Sequence, residues 1–552
     1  MEWNYGDLLD AVAEAVPAEA PFLIHGERRI GWGDSSHRMN NLARAIIAGG
    51  AKPGDKLAFY LRNCPEYMEG VGVGFRARLT HVNINYRYKP EEVRYILDNS
   101  DAQTLIFGSE FRETVAAIRD ALPAIKTYIE VTPDGETAPF AQDYETLAET
   151  GDGARLDIRR SPDDMLFIYT GGTTGMPKGV MWRHSDLSDL WHNRVERTTG
   201  VALPKTIPEF AAALKMVGGG MRVMPVCPLM HGTGFMVALG GLIGGGSIVT
   251  VGNAHFDPHE VWEAVSRERV QSMAIVGDPF ARPLLRALDE APGRYDLSSV
   301  MSMSSSGAMW TADIKRGLVR HIPQITLTDS FASTEAMGMG ASVMTKDGET
   351  QTAAFALLEN AIVIDERDQE IPAGSGKAGL VALSGPLPLG YYKDPEKTAR
   401  TFRTIGNRRY SIPGDFARVE ANGTITLLGR GSNCINTAGE KVYPEEVEEA
   451  LKTHPAVEDA LVLGVPDETW GQAVTGIIKL VNGSEFDEIA LREHVRAQLA
   501  GYKTPKRILL AEVALRAPNG KADYKTASEF AKAALESSKQ EPTLPLREGR
   551  NL

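Results

Sequence analysis

Strand-like and helix-like segments alternate along the chain, and this alternation restricts the possible folds more than any other feature. KLAFYL (residues 56–61) predicts a buried strand, and PEYMEGVGVGFRAR (65–78) predicts a helix. THVNINY (80–86) predicts a second strand, a helix is expected to begin at Pro90, and AQTLIFG (102–108) predicts a third strand. Such a β-α-β-α-β order indicates an open, largely parallel sheet, so the expected fold class is α/β.

The chain is too long for a single hydrophobic core, because it has 552 residues and domains usually span about 100–200 residues. Short strand-like runs between Gly, Pro and Asn turns dominate residues 345–430 and predict a β-rich subdomain. The polar stretch GSNCINTAGEKV (431–442) predicts a flexible link. We therefore expect a large N-terminal domain over 1–430, with layered α/β subdomains plus the β-rich subdomain, and a small mobile α+β domain over 431–552.

Charge and composition exclude several classes of function. The formal net charge is −13 and the chain has no Lys- or Arg-rich block, so nucleic acid is not expected as a partner. No window reaches about 18 uninterrupted apolar residues, and no basic segment followed by an apolar core opens the chain, so neither a membrane span nor a secretory signal is expected. We expect a cytoplasmic protein. The three cysteines are scattered and match no disulfide or metal-binding pattern: Cys64, Cys227 and Cys434.

The stretch TGGTTGMPKG (170–179) has the composition of a phosphate-binding loop but does not fit a P-loop. A P-loop ends in Gly-Lys-Ser/Thr and leads directly into a helix. Pro177 has no backbone N–H and disfavours helical geometry at Met176. The flanking runs DMLFIYT and GVMWRH both predict strands, so we expect a hairpin whose backbone N–H groups, threonine hydroxyls and Lys178 close over a triphosphate. An ordinary glycine-rich surface turn is the alternative.

YTGGTTGMPKGV resembles the signature loop of the adenylate-forming superfamily, which includes acyl- and aryl-CoA synthetases, luciferases and peptide-synthetase adenylation domains. Other segments resemble further motifs of that superfamily in the same order: SSSGA (304–308), DSFASTEAMG (329–338), GYYKDPEKT (390–398), YSIPGDFARV (410–419) and PNGKADYK (518–525). The style of these motifs is similar to that of bacterial acyl-CoA synthetases that degrade fatty acids and steroid side chains. For GYYKDPEKT the resemblance implies a structural role.

The resemblance implies that Thr334 meets the α-phosphate, that Glu335 binds Mg2+, and that Lys521 reaches the substrate carboxylate and the α-phosphate. A carboxylate and a hydroxyl are hard oxygen ligands of the kind that Mg2+ prefers. Lys525 is close enough in sequence to be confused with Lys521. The remaining ATP and AMP contacts are assigned to Thr170, Gly171, Gly172, Thr173, Thr174, Gly175, Lys178, Ser306, Gly307, Ala308, Asp329, Ser330, Phe331, Asp415 and Arg430.

Two motifs depart from the superfamily pattern. Phe331, assigned to the adenine, stands where tyrosine is usual, and Ala332 stands where glycine is usual. Pro413 replaces the threonine that commonly comes two residues before the ribose-binding aspartate, here Asp415. Without the resemblance, Asp415 is better explained as a turn aspartate after glycine.

The implied reaction has two halves. A carboxylate attacks ATP to form an acyl-adenylate and pyrophosphate, and a thiol, that of CoA, then displaces AMP. Positioning and charge neutralisation dominate the first half. The small domain is expected to rotate between the halves about a hinge at Ser432, where the usual charged residue is absent. Gly439 and Lys441 are assigned to the path of CoA, and Trp470 less firmly.

The segment CPLMHGTGFM (227–236) resembles the wall of the acyl pocket, and His231 stands where the superfamily commonly has a histidine or an aromatic residue near the carboxylate. Gly232, Met337 and Gly338 are also assigned to this pocket. A capping histidine or a core histidine is the alternative for His231. Methionines and small residues indicate a roomy apolar cavity. The resemblance to acyl-CoA synthetases that degrade fatty acids and steroid side chains implies a medium- to long-chain fatty acid or a steroid side-chain acid as the substrate. The alternatives are that the protein activates an aryl acid, that it loads an acyl carrier protein, or that it is a catalytically silent binding protein. We also expect that the protein can form a homodimer.

Overall fold

The computed structural model describes most of the chain and divides it into two compact units. The described residues are 2–132, 135–170, 176–253, 255–348, 352–437, 440–467, 470–511, 513–517 and 521–540. The N-terminal unit comprises Met1–Ser375, Val381–Pro413 and Glu420–Ile425. The C-terminal unit comprises Gly376–Leu380, Gly414–Val419 and Thr426–Leu552.

The elements that begin before residue 413 are mixed helices and strands, as the alternating pattern predicts. In chain order they are α1 (Tyr5–Ala15), β1 (Pro21–His25), β2 (Arg28–Gly31), α2 (Trp32–Ala48), β3 (Lys56–Tyr60), α3 (Pro65–Arg76), β4 (Thr80–Asn83), α4 (Pro90–Asn99), β5 (Ala102–Gly108), α5 (Arg112–Ile118), β6 (Thr127–Val131), β7 (Gln142–Asp143), α6 (Tyr144–Glu149), β8 (Met165–Thr170), β9 (Lys178–Arg183), α7 (His184–Thr199), α8 (Ile207–Val217), β10 (Arg222–Pro225), α9 (Gly232–Ile243), β11 (Ser247–Thr250), α10 (Pro258–Glu268), β12 (Ser272–Ile275), α11 (Asp278–Glu290), β13 (Ser302–Ser305), α12 (Ala312–His321), β14 (Thr326–Ser333), β15 (Ala336–Met344), β16 (Ala354–Leu357), β17 (Ala361–Ile364), β18 (Ala378–Ser384), β19 (Gly390–Tyr391), α13 (Pro395–Thr401), β20 (Phe402–Ile405) and β21 (Arg408–Ser411).

One sheet of the N-terminal unit has the strand order β19-β9-β8-β4-β3-β5-β6-β7. Its centre is parallel, and Ala58 on β3 lies opposite Val82 on β4 and Leu105 on β5. All three side chains are buried, and burying a valine or leucine side chain contributes about 1.5–3 kcal/mol. The strand predicted over 80–86 is shorter in the structure and ends at Asn83, whose side-chain amide forms two hydrogen bonds with the backbone of Tyr169 (3.1 and 2.7 Å).

A second sheet of the N-terminal unit carries parallel strands in the order β1-β11-β10-β12-β13-β14. The chain then reverses, and β15 pairs antiparallel with β14, placing Asp329 between Ser305 and Ser342. The predicted Asn-Gly turn of the β-rich region is present, since the Glu420 N–H bonds the Thr424 carbonyl at 2.8 Å. Gly423 has φ +82°, a left-handed conformation that favours glycine.

The C-terminal unit has its own sheet and helices. The elements that begin after residue 413 are β22 (Asp415–Val419), β23 (Thr424–Arg430), β24 (Ile435–Thr437), β25 (Glu440–Val442), α14 (Pro444–Lys452), β26 (Val457–Asp467), β27 (Gly471–Leu480), α15 (Glu488–Gln498), β28 (Arg507–Leu510) and α16 (Tyr524–Gln540). β25, β24, β27 and β26 lie side by side, and β28 pairs with β27. The apolar cores on its two faces include Leu451 and Ile478, and Leu461 and Ile477.

The stretch predicted as a flexible link is partly regular structure. After a 3-10 turn at Gly431–Asn433, β24 and β25 form an antiparallel pair. The reason is that Ile435 and Val442 face each other in this pair and are both buried in the core of the C-terminal unit. Within the ranges described above, no helix is long and apolar enough to cross a membrane.

Candidate active site

The two strands predicted on either side of the glycine-rich stretch are present as β8 and β9. β8 and β9 are antiparallel, and Thr170 lies directly opposite Lys178 in the last pair before the glycine-rich stretch. Gly179 has a packing reason, because a Cβ there would come within 2.7 Å of the Tyr169 ring. The predicted phosphate contacts Gly171, Gly172, Thr173, Thr174 and Gly175 lie outside the described residues.

The Lys178 ammonium lies at the base of this loop and is paired. Its Nζ is 3.0 Å from Oδ2 of Asp394, which also caps α13 by accepting a bond from the Lys397 N–H (3.0 Å). The hydrogen bond to Asp394 raises the pKa of Lys178, partial burial opposes it, and Tyr95 adds to the rise. The ammonium is therefore charged at neutral pH, as a phosphate ligand must be.

The turn between β14 and β15 presents Thr334 and Glu335. The Trp182 indole N–H donates to the Thr334 carbonyl (3.0 Å), which fixes the turn against β9. The Tyr391 hydroxyl donates to Oε1 of the buried Glu335 (2.7 Å), which fixes the orientation of the carboxylate. Glu335 and Thr334 fit the ligand set of Mg2+, which takes one or two carboxylates and completes its shell with phosphates and water. Within the described residues, no group of three or more His, Cys, Asp or Glu side chains is arranged as a metal site.

The segment 390–398 therefore does more than the structural role that the resemblance implies. Tyr391 orients Glu335, and Asp394 holds Lys178, so one short segment contacts two predicted ATP-site residues. Sequence reasoning missed both contacts. The available signal was an aspartate placed just before a proline, which marks a helix cap whose carboxylate can also accept from a lysine.

The predicted nucleotide contacts on β14 lie on two faces of the strand. Asp329 is buried and pairs with the buried Lys315 (3.1 Å). Burial raises the pKa of Asp329 to about 6, and Lys315 opposes that rise. Phe331 is buried on the same face, with its ring 5.6 Å from that of Phe355. Ser330 alternates to the other face and is half-buried.

The predicted acyl-pocket segment adjoins the SSSGA loop. The Thr233 hydroxyl donates to the Ser306 carbonyl (3.2 Å), and Gly307, followed by Ala308, has φ +93°. His231 is the N-cap of α9, where its Nδ1 accepts from the Thr233 N–H at 3.3 Å, so the capping alternative describes its position. Gly232 begins α9. Met337 and Gly338 lie at the start of β15, and Gly338 has φ +99°.

The remaining predicted residues belong to the C-terminal unit. Asp415 is buried at the start of β22, and Arg430 ends β23. Lys521 is half-buried in the turn before α16, whereas Lys525 is exposed on that helix. Gly439 lies outside the described residues. The backbones of Ser432 and Lys441 lie in the 3-10 turn and in β25, and their side chains are outside the description.

Two family models match the chain. The model described as "AMP-binding enzyme" matches residues 9–392, and that of the "AMP-binding enzyme C-terminal domain" matches residues 446–521. A 3-oxocholest-4-en-26-oate–CoA ligase of Rhodococcus rhodochrous is 38% identical over 540 residues, which is 96% of each chain. A medium/long-chain-fatty-acid–CoA/3-oxocholest-4-en-26-oate–CoA ligase of Mycolicibacterium smegmatis is 37% identical over 539 residues, again 96% of each chain.

Solved structures share the fold at low sequence identity. ATP-bound MatB from Rhodopseudomonas palustris superposes with a TM-score of 0.79 at 23% identity, covering 96% of this chain and 100% of the other. An anthranilate CoA ligase in complex with anthranoyl-AMP gives a TM-score of 0.80 at 21% identity, covering 96% of this chain and 98% of the other. These likenesses confirm the predicted α/β fold class, with its large N-terminal and small C-terminal parts.

Proposed function

The chain belongs to the AMP-binding enzyme family, and on that premise we propose that it activates a medium- to long-chain fatty acid or a steroid side-chain acid. It is an ATP-dependent, AMP-forming acyl-CoA ligase that uses ATP, CoA and Mg2+. The observation that carries the choice of acid is the identity of 38% and 37%, over 96% of each chain, to ligases named for these acids.

The surface of α9 supports an apolar acid. A stripe of half-buried residues runs along this helix at helical spacing, and it contains no charged side chain: Gly232, Thr233, Met236, Val237 and Gly240. A Cβ added at Gly232 or Gly240 would meet no atom within 4 Å, so open space borders both glycines. Small residues beside open space, with a methionine between them, suit the wall of an adaptable apolar cavity.

In the first half-reaction a carboxylate oxygen of the acid attacks the α-phosphorus, and pyrophosphate leaves with the electrons of the broken P–O bond. No general base is needed, because the carboxylate is already ionised at neutral pH. We assign Lys178 to the β- and γ-phosphates that leave, and Lys521 to the carboxylate and the α-phosphate. Both ammonium groups would neutralise charge that develops in the transition state.

Glu335 and Thr334 would hold Mg2+, which when bound supplies positive charge to the phosphate oxygens. Tyr391 keeps the Glu335 carboxylate in one orientation, so this ligand is pre-positioned before the nucleotide arrives. Asp415 would accept bonds from the ribose hydroxyls, with Arg430 as a second contact, and Phe331 would border the adenine.

In the second half-reaction the CoA sulfur attacks the acyl carbonyl, and AMP leaves with the electrons of the C–O bond. Lys521 would not serve this half, so we propose that the C-terminal unit rotates between the halves. The resemblance to the superfamily assigns the hinge to Ser432 and the CoA path to Gly439 and Lys441. We also propose a cytoplasmic location, which fits ATP and CoA as substrates. The protein is further predicted to form a homodimer, and light scattering can test this prediction.

The decisive experiment measures nucleotide products with a panel of acids, with and without CoA. With the acid and ATP alone we expect pyrophosphate and acyl-adenylate. When CoA is added we expect AMP and acyl-CoA in equal amounts, with the highest kcat/KM for long-chain or steroid side-chain acids. ADP as the product would contradict the proposal. Activity confined to aryl acids, or transfer to an acyl carrier protein without CoA, would favour the two alternatives instead.

A further inference from the structure

We propose that Arg516 and Tyr524 are positioning residues for Lys521, because they fix the two stems of the turn that carries it. The inference rests on the proposed function, in which Lys521 serves adenylate formation but not thioester formation. All the groups concerned belong to the C-terminal unit. The assembly is called the stem clamp below, and it consists of Glu448, Asp459, Arg516 and Tyr524.

The turn that bears Lys521 is closed by backbone contacts. Arg516 and Ala522 form an isolated antiparallel bridge, and the Ala517 N–H donates to the Lys521 carbonyl at 2.8 Å. The Asp523 N–H donates to the carbonyl of Leu515 (3.0 Å), which is buried in an apolar core. Lys521 is thus one residue away from a bridged pair, so the position of the stems sets the position of its Cα.

The first stem is held by a bidentate ion pair. Nε and one terminal nitrogen of Arg516 lie 2.8 and 2.9 Å from the two carboxylate oxygens of Asp459 on β26. Lys452 on α14 adds a second cation 3.5 Å from the same carboxylate. Burial alone would raise the pKa of Asp459, but Arg516 and Lys452 lower it to about 2, so the carboxylate is ionised at neutral pH.

The second stem is held where α16 begins. Asp523 caps this helix by accepting from the Thr526 N–H (3.0 Å). The next residue, Tyr524, donates its hydroxyl to Oε1 of Glu448 at 2.9 Å, and the same oxygen accepts from the Val462 N–H at 2.9 Å. Glu448 is only 3% exposed, so this bond holds the tyrosine in a buried place.

The stem clamp has a catalytic consequence because a lysine side chain is long and flexible. A fixed backbone limits the region that such an ammonium can reach. A displacement of about 1 Å in a positioned group can lower a rate by about 100-fold. Arg516 is bound to β26 and Tyr524 is bound to α14. Loss of either contact should therefore lower the rate of adenylate formation, the half-reaction that needs Lys521.

The test uses two conservative variants of the full chain, Arg516→Lys and Tyr524→Phe. Arg516→Lys keeps the charge and loses the two-point contact, and Tyr524→Phe keeps the ring and loses only the hydroxyl. Adenylate formation is followed by pyrophosphate release from ATP and acid, and thioester formation by supplying acyl-adenylate with CoA. We expect adenylate formation to fall about 10- to 100-fold in Arg516→Lys and about three- to tenfold in Tyr524→Phe, with thioester formation changed less than about twofold.

Matched controls are the exposed residues Arg507 and Tyr502 of the same unit, changed to Lys and Phe. Both controls should keep the ratio of the two half-reactions, and thermal unfolding checks that all variants fold. If both half-reactions fall together in a folded variant, or if neither falls, the inference is wrong. Failure of the unaltered protein to form AMP contradicts the proposed function as well, whereas AMP formation with an unchanged ratio contradicts this inference alone.

Discussion

The structure shows different restraints on the two lysines predicted to neutralise phosphate charge, Lys178 and Lys521. Lys178 extends from a hairpin strand, and its own ammonium is engaged by the carboxylate of Asp394. Lys521 lies in a turn whose backbone is braced at both stems through Arg516 and Tyr524. In the N-terminal unit the structure restrains the charge, whereas in the C-terminal unit it restrains the place from which the charge extends.

This difference has a functional meaning. Solvent reaches the Lys178–Asp394 ion pair, since the two side chains are 29% and 20% exposed, and such pairs contribute only about 0–1 kcal/mol. Lys178 can therefore leave Asp394 for a triphosphate at little cost and return when pyrophosphate departs. A buried network with bidentate contacts resists displacement, so the backbone at Lys521 should stay fixed relative to the core of its own unit. We therefore expect Lys178 to affect nucleotide affinity and Lys521 to affect the rate of one chemical step.

The largest effect is expected for Lys521→Ala. Loss of a positioned cation at the α-phosphate should lower adenylate formation by about 100- to 1000-fold, comparable to removing one oxyanion donor. Thioester formation from supplied acyl-adenylate should change little, and single-turnover assays of the two halves measure both. Lys525→Ala is the matched control, and a loss of adenylate formation there instead would transfer the catalytic role to that lysine.

A change at the hinge should separate the two halves in a different way. Proline at position 432 fixes φ and removes a backbone N–H in the Gly431–Asn433 turn. Ser432→Pro should keep adenylate formation or thioester formation but not both, with the ratio of the two rates changed at least about tenfold. Ser432→Ala serves as the control. Equal loss of both half-reactions in Ser432→Pro would show that this turn is not the hinge.

Lys178→Ala is expected to have a smaller effect that is confined to the nucleotide. Removal of a charged hydrogen bond to phosphate should raise the KM for ATP about tenfold, whereas the KM for the acid should stay the same. Initial rates over an ATP series and an acid series provide both constants. Altered acid preference with unchanged dependence on ATP would show that Lys178 does not lie on the phosphates.

Local patterns predicted the hairpin and the parallel strands correctly because each depends on few neighbouring residues. Pro177 excludes a helix after the glycines, and apolar runs with intervening helices predict β3, β4 and β5. The contacts of Tyr391 and Asp394 were not predictable in this way, since their partners lie 56 and over 200 residues away. The link at 431–442 was misjudged because its polar residues concealed Ile435 and Val442, which pair in the core.

The smallest expected effect comes from a change in the weak ion pair between Lys178 and Asp394. Asp394→Asn keeps the cap of α13, because asparagine caps helices about as well as aspartate, but it removes the charge that competes for Lys178. The KM for ATP should fall about two- to fivefold, and pyrophosphate should inhibit more strongly by a similar factor. These factors correspond to the free energy of about 1 kcal/mol or less that a partly exposed ion pair contributes. Inhibition by pyrophosphate at fixed acid and CoA measures the second effect.

Asp101→Asn is the control for a general change of charge, since Asp101 pairs with the neighbouring Lys393 at 2.7 Å rather than with Lys178. If Asp394 acts only through Lys178, Asp394→Asn should change the KM for ATP in the unaltered chain and leave it unchanged in a Lys178→Ala background. An equal effect in both backgrounds would mean that Asp394 repels the nucleotide directly. In that case Lys178, like Lys521, would owe its position to the backbone of its hairpin, and the contrast between the two lysines would disappear.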